Sequence, residues 1–129
     1  MAGVTDAAGR DRAAAADPLL VETWQQLMGL VLEQRFRWAE VSGQLGITQA
    51  GLRALLAIDP NEPQSMRDLA KAMNCDPSYI TAMIDDLERA GLATRQLSES
   101  DRRVKTVVLT PRGSAALRTA RDGLLSPPP

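Results

Sequence analysis

Histidine is absent from this chain, cysteine occurs once, and aromatic side chains make up only 3% of its 129 residues. Without histidine the commonest general base and a principal zinc ligand are missing, and the single Cys75 can neither close an intramolecular disulfide nor assemble a thiolate cluster. There is no glycine-rich phosphate loop, the carboxylates are scattered, and no nucleophile is paired with a base, so the sequence reads as a non-enzyme without cofactor or metal. The scarcity of aromatics leaves the core to Leu, Val, Ile, Ala and Met within an apolar total of 44%. That composition favours helix over sheet. No apolar run approaches the roughly 18 to 20 residues that a membrane span needs, and Met1 to Ala16 lacks the hydrophobic stretch of a signal peptide. The expectation is a soluble, cytoplasmic protein with no membrane partner.

The net charge of −1 hides a lopsided distribution. Residues 1–88 carry 7 basic and 13 acidic side chains, whereas residues 89–129 carry 8 basic and 3 acidic. A basic segment on an otherwise acidic protein can face phosphate. It is equally what a solvated helix and turn would carry, so the motifs must decide.

Residues 1–16 are alanine-rich with little to bury and read as a flexible arm. Asp17-Pro18 supplies a capping acceptor followed by proline in the first turn, predicting a helix to about Gly43. Leu20, Trp24, Leu27, Val31, Trp38, Val41 and Leu45 form one apolar stripe along it, with Val21, Met28, Leu32 and Phe36 beside them. So wide a surface needs partners on two sides, as in a homodimer or in the central helix of a monomer. Thr48 caps a second helix to about Ile58, and Asp59 to Pro63 breaks it with two prolines. Ser65 opens a short helix, Met66 to Met73, with Asp68 as the partner in a capping box. After Asn74-Cys75, the pair Asp76-Pro77 starts another helix that runs to Ala90 and is closed by Gly91. Leu92–Ser98 and Val104–Leu109 then read as a β-hairpin. Thr110-Pro111 begins a last helix whose apolar side is Ala115, Leu117, Ala120, Leu124 and Leu125.

A short helix, a tight turn, a second helix and an immediate hairpin are the parts of a winged helix-turn-helix, in a mainly α fold with a small β-hairpin wing. The organisation expected is an arm (1–16), a dimerisation helix (17–45), a winged helix-turn-helix (46–110) and a C-terminal dimerisation helix (111–129). In helix 77–90, Ile80, Met83, Ile84 and Leu87 cluster on one side, against Leu69, Ala70 and Met73. At 100° per residue, Ser78, Ala82, Asp85 and Arg89 point the other way, flanked by Thr81 and Asp86. An exposed face of this kind can be laid in a major groove. The same helix pair also occurs in purely structural bundles.

From about Thr48 to Leu117 the chain resembles the MarR family. The likeness is carried by Ile80-Thr81-Ala82-Met83-Ile84-Asp85-Asp86-Leu87-Glu88-Arg89-Ala90-Gly91-Leu92, and by Ser98-Glu99-Ser100-Asp101-Arg102-Arg103-Val104-Lys105 followed by Leu109-Thr110-Pro111-Arg112-Gly113. The resemblance implies a homodimeric transcriptional regulator on double-stranded DNA, with helix 77–90 in the major groove and wing 98–104 at the minor groove. Its target would be a pseudo-palindrome with half-sites about 10 bp apart. The implied contact residues are Ser78, Tyr79, Thr81, Ala82, Asp85, Arg95, Asp101, Arg102, Arg103 and Lys105. Among them Arg103 would enter the minor groove, Asp101 would hold its guanidinium, and Arg102 and Lys105 would meet phosphate. The resemblance also implies a small aromatic or anionic effector, although no residue here identifies one.

The chain departs from the family pattern at Ala82 and Asp86, where relatives often carry arginine. Asp86 is expected on an exposed flank, where its carboxylate would repel phosphate. The last helix also stops short of the family's usual continuation, so either the chain is truncated or dimerisation leans on the N-terminal helix. Trp24, Trp38 and Tyr79 have core or interface positions as their plainer reading, and Cys75 reads as a small structural side chain. The alternative function is a winged-helix protein-interaction module with weak or lost DNA binding, which Asp85 and Asp86 would favour.

Overall fold

A computed structural model describes residues 17–127; the expected N-terminal arm and the last two prolines lie outside the described residues. The chain divides into two compact units, 1–35 and 36–129. The boundary falls within a single helix, α1 (Pro18–Leu45). At its start Asp17 Oδ1 accepts the N–H of Leu19 at 2.9 Å, as the Asp-Pro signal predicts. In the first unit both apolar stripes of α1 are exposed: Leu20, Trp24, Leu27 and Val31 on one, Val21 and Leu32 on the other, with Trp24 59% accessible.

The second unit takes up α1 from Phe36, with Val41 and Ser42 buried. It continues through α2 (Gln49–Ala57), β1 (Gln64–Ser65), α3 (Met66–Ala72), α4 (Pro77–Arg89), β2 (Ala93–Leu97), β3 (Lys105–Leu109) and α5 (Pro111–Leu124). Its core is aliphatic, as the lack of aromatics requires. Leu52 and Leu55 of α2, Leu69 of α3, Ile80, Ile84 and Leu87 of α4, Val107 of β3 and Leu117 of α5 are all essentially inaccessible. Burying such a side chain stabilises by about 1.5–3 kcal/mol, so this cluster fixes the helix-turn-helix.

Helix ends follow local chemistry. Thr48, Ser65, Asp76 and Thr110 each accept a backbone N–H from the first turn of the helix they precede. Gly91 ends α4 at φ +76°, a left-handed conformation that a side chain would strain. Its N–H meets the carbonyl of Glu88, the N–H of Leu92 meets that of Leu87, and the chain turns into β2. The sheet is antiparallel in the order β1-β3-β2, with Arg95 opposite Val107 and Gln64 opposite Val107 on its other side. The hairpin matches expectation, whereas β1 is an addition. It is two residues long and exists only because β3 offers it an edge.

The apolar side of α5 differs from the expected one. Gly113, Ala116, Leu117, Ala120 and Leu124 face inward, while Ala115 is exposed and Leu125 is 66% accessible beyond the helix end. The cause is Gly113, whose Cα lies so close to the carbonyl of Leu92 that a Cβ would overlap it. This approach sets the rotation of α5, and Ala115, two residues on, is turned roughly 200° away.

Candidate nucleic-acid interface

Four parts converge on one side of the second unit: α3, the turn at Asn74-Cys75, α4, and the β2-β3 hairpin. Asn74 adopts φ +51°, closing α3 and letting Asp76 begin α4. Asp76 Oδ1 accepts from the backbone N–H of Ser78 at 2.9 Å and from its hydroxyl at 2.8 Å. The backbone bond first, and then the hydroxyl, hold the Asp76 carboxyl below the usual carboxylate range.

The four apolar residues expected to pin α4 are buried. Ser78, Tyr79, Thr81, Ala82, Asp85 and Arg89 are exposed, with Tyr79 65% accessible. Two hydroxyls on this face are already engaged as donors, since Ser78 donates to Asp76 and Thr81 Oγ1 to the carbonyl of Pro77 at 3.2 Å. Asp85 is paired with Arg95, whose Nη2 lies 2.7 Å from Asp85 Oδ1. Arg95 Nη1 reaches Glu88 Oε1 at 3.0 Å, and Nη2 also donates to the carbonyl of Thr81 at 3.2 Å. Glu88 completes the link by accepting the backbone N–H of Arg95 at 3.1 Å. Arg95 thus bolts β2 to α4, with Nη1 and Nη2 both engaged by protein acceptors.

At the wing tip the charges stand outward. The turn is closed by bonds from Ser98 N–H to the Val104 carbonyl and from Val104 N–H to the Asp101 carbonyl. Asp101 Oδ1 accepts both the backbone N–H and the Nε of Arg103, at 3.0 and 3.2 Å. The Arg103 side chain is 92% exposed, so the pair contributes little to stability; its effect is to orient the guanidinium. Among the described residues no carboxylate lies within ion-pair distance of Arg102 or Lys105. Arg67 at the start of α3 joins Arg103 and Lys105 around one cleft, and with Lys105, Thr81 and Asp85 it lines another between α3, α4 and the hairpin. The sequence reading overlooked Arg67. Its one signal was its place in the first helix of the helix-turn-helix pair, since it is one of seven basic residues within 1–88.

Asp86 corrects the sequence reading. It is buried, 8% accessible, and its Oδ2 accepts the Thr48 N–H at 2.7 Å and the Thr48 hydroxyl at 2.9 Å. Its other oxygen lies 3.7 Å from Arg89 Nη1. The carboxylate sits at the N-terminal end of α2, where unpaired N–H groups favour negative charge, and not on a flank facing phosphate. Among the described residues no group of His, Cys, Asp or Glu could hold a metal ion, and no helix is long and apolar enough to cross a membrane.

Comparison with known proteins agrees with this geometry. The profile described as the MarR family matches residues 47–105. A putative transcriptional regulatory protein for the hcr operon of Thauera aromatica is 40% identical over 81 residues, covering 62% of this chain and 48% of that protein. The chain spans 64% and 48% of the lengths of two curated relatives that it matches. The transcriptional regulator BldR from Sulfolobus solfataricus is 32% identical with a TM-score of 0.57, over 81% of this chain and 78% of the other. The transcriptional repressor CouR bound to a 23-mer DNA duplex is 28% identical with a TM-score of 0.63, over 78% and 71% of the two chains.

Proposed function

The chain belongs to the MarR family, and we propose that it acts as a homodimeric DNA-binding transcriptional regulator. The observation that carries the reading is the exposed edge of α4, with Ser78, Tyr79, Thr81 and Ala82, standing beside a wing whose Arg102, Arg103 and Lys105 face solvent. Helix α4 would enter the major groove, where hydroxyls and a methyl group can meet base edges, while Arg103 would reach the minor groove and Arg102 and Lys105 phosphate. The DNA duplex held by the CouR repressor supports this use of the fold. Two features that favoured a protein-interaction module carry less weight in the folded chain. Asp85 is paired with Arg95 and Asp86 is buried, so neither faces a phosphate backbone as a bare carboxylate would.

The partner proposed for the apolar stripes of residues 18–35 is a second copy of this chain. Exposed apolar surface as continuous as Leu20, Trp24, Leu27 and Val31 is uncommon on a monomer. Two equivalent α4 helices would then read half-sites about 10 bp apart in a pseudo-palindrome. A small aromatic or anionic effector is the remaining part of the proposal, resting on family likeness alone. Fluorescence polarisation against a duplex enriched by this chain from a random pool tests the whole. Nanomolar, salt-dependent binding by a dimer is expected, and the absence of any enriched sequence, or a monomer at micromolar concentration by light scattering, would overturn it. Aromatic carboxylates added to the same assay should weaken binding if the effector reading holds.

A further inference from the structure

Asp86 is the only carboxylate buried among the described residues, and the whole of its environment is built for it. Thr48 presents two donors to one oxygen, and the Thr48 hydroxyl also accepts the N–H of Gly51 at 2.9 Å, so that hydroxyl is committed both as donor and as acceptor. Gly51 stands in the first turn of α2, where glycine is a poor helix former, and the reason is steric. A Cβ there would overlap Asp86 Oδ2. The carboxylate therefore occupies a fitted socket at the end of α2, made of a capping threonine, a bare glycine and the positive end of the helix. On α4, Asp86 is flanked in sequence by exposed Asp85 and buried Leu87, at the border between the core face and the exposed face.

We propose that Asp86 is a positioning residue that sets where α4 sits along and about its axis by locking it to the N-terminus of α2 through Thr48. This rests on the DNA-binding reading for its consequence, but not for its geometry. The apolar residues Ile80, Met83, Ile84 and Leu87 hold α4 against the core, but the burial that drives this contact is itself non-directional. Two short bonds to one carboxylate oxygen are directional and charge-assisted, and they add to packing a constraint on the register and rotation of α4. A rotation of α4 would carry Thr81, Ala82 and Asp85 with it, and with them the register of any base contact. Asp86 acts on DNA only through the placement of those residues.

Asp86→Ala removes the carboxylate oxygen that accepts both Thr48 donors. Gly51→Ala fills the socket from the other side. Ala120→Gly in α5, a buried position outside the Thr48–Gly51–Asp86 hydrogen bonds, is chosen as a control to lower the melting temperature by a similar amount. The full-length variants are compared at a temperature where each is folded, by backbone amide NMR and by polarisation with a duplex enriched by the wild-type chain. For both socket variants, amide shifts spreading from Thr48 to Thr81, Ala82 and Asp85 are expected, with about a tenfold loss of affinity, while Ala120→Gly shows neither. Shifts confined to the neighbours of the substituted atom, or affinity equal to wild type with the fold intact, would overturn the proposal. If the wild-type chain enriches no DNA, the DNA-binding reading fails while the spread or confinement of the amide shifts still decides the role of Asp86.

Discussion

The recognition helix and the wing tip carry similar numbers of charged residues but spend them differently. On α4 and the base of β2, Asp85, Glu88 and Arg95 are paired with one another, and Asp86 is drawn inward to Thr48. At the tip, Arg102, Arg103 and Lys105 face solvent, and the single internal pair orients an arginine without covering it. The contrast separates two tasks. On the DNA-binding proposal the helix would be held in one pose and offer mostly neutral groups, while the wing would supply the long-range attraction to phosphate.

The largest expected effect is therefore at the wing. Arg103→Ala in both protomers of a dimer should weaken binding by about 100-fold at low salt, with a smaller loss at high salt, because each lost contact releases fewer counterions. Affinity equal to wild type at low salt would remove the wing from binding. Arg95→Ala comes next, at about tenfold. It leaves Asp85 as an unpaired carboxylate on the exposed face of α4 and unbolts β2 from α4. Since Asp85 is more than half exposed, the cost in folding should stay near 1 kcal/mol. A loss of binding no larger than that fall in stability can explain would merge the two regions again. A double variant, Arg95→Ala with Asp85→Ala, should recover part of the affinity by deleting the orphaned charge.

Ala82→Arg tests the neutral helix from the opposite direction. The position is exposed and central on the face, so an arginine there adds a phosphate contact without touching the core. Binding to unrelated duplexes should tighten about three- to tenfold, with a steeper salt dependence and lower specificity. Unchanged binding to unrelated DNA would place residue 82 away from the duplex.

The sequence suggested the same experiment at Asp86, and there the outcome reverses. Asp86→Arg forces a cation into a socket lined by N–H donors and should lower the melting temperature instead of tightening binding. The difference shows what was legible. Helix starts at Asp17, Thr48, Ser65, Asp76 and Thr110, and the turn at Gly91, were readable because each is local chemistry within a few residues. The burial of Asp86 depends on Thr48, 38 positions earlier, and no periodicity of α4 alone could reveal it. A trace existed in Gly51, an unfavoured residue in a first helical turn. The rotation of α5 was likewise hidden in a contact between Gly113 and Leu92, and β1 in an edge offered by β3. The Asp101–Arg103 arrangement, in contrast, lies within three consecutive residues and was implied by the family resemblance.

The smallest effect concerns Asp76, the residue that begins the recognition helix. Its carboxyl lies below the usual carboxylate range because it accepts from the backbone and then the hydroxyl of Ser78. A depressed folded value means that the charged form is favoured in the native state, so its contribution is complete above the unfolded value and is lost as pH falls through the lowered folded one. The relevant window therefore opens at about pH 4 and extends downward. Asp76→Asn keeps a capping oxygen but has no proton to gain. The urea midpoint of wild type minus that of Asp76→Asn should be constant from neutral pH to about pH 5 and should fall below about pH 4. All other carboxylates are common to both chains and cancel in the difference. A difference that stays flat to the lowest pH at which both remain folded would mean that the bonds to Ser78 do not hold in solution. The start of α4 would then be fixed by Pro77 and the core alone.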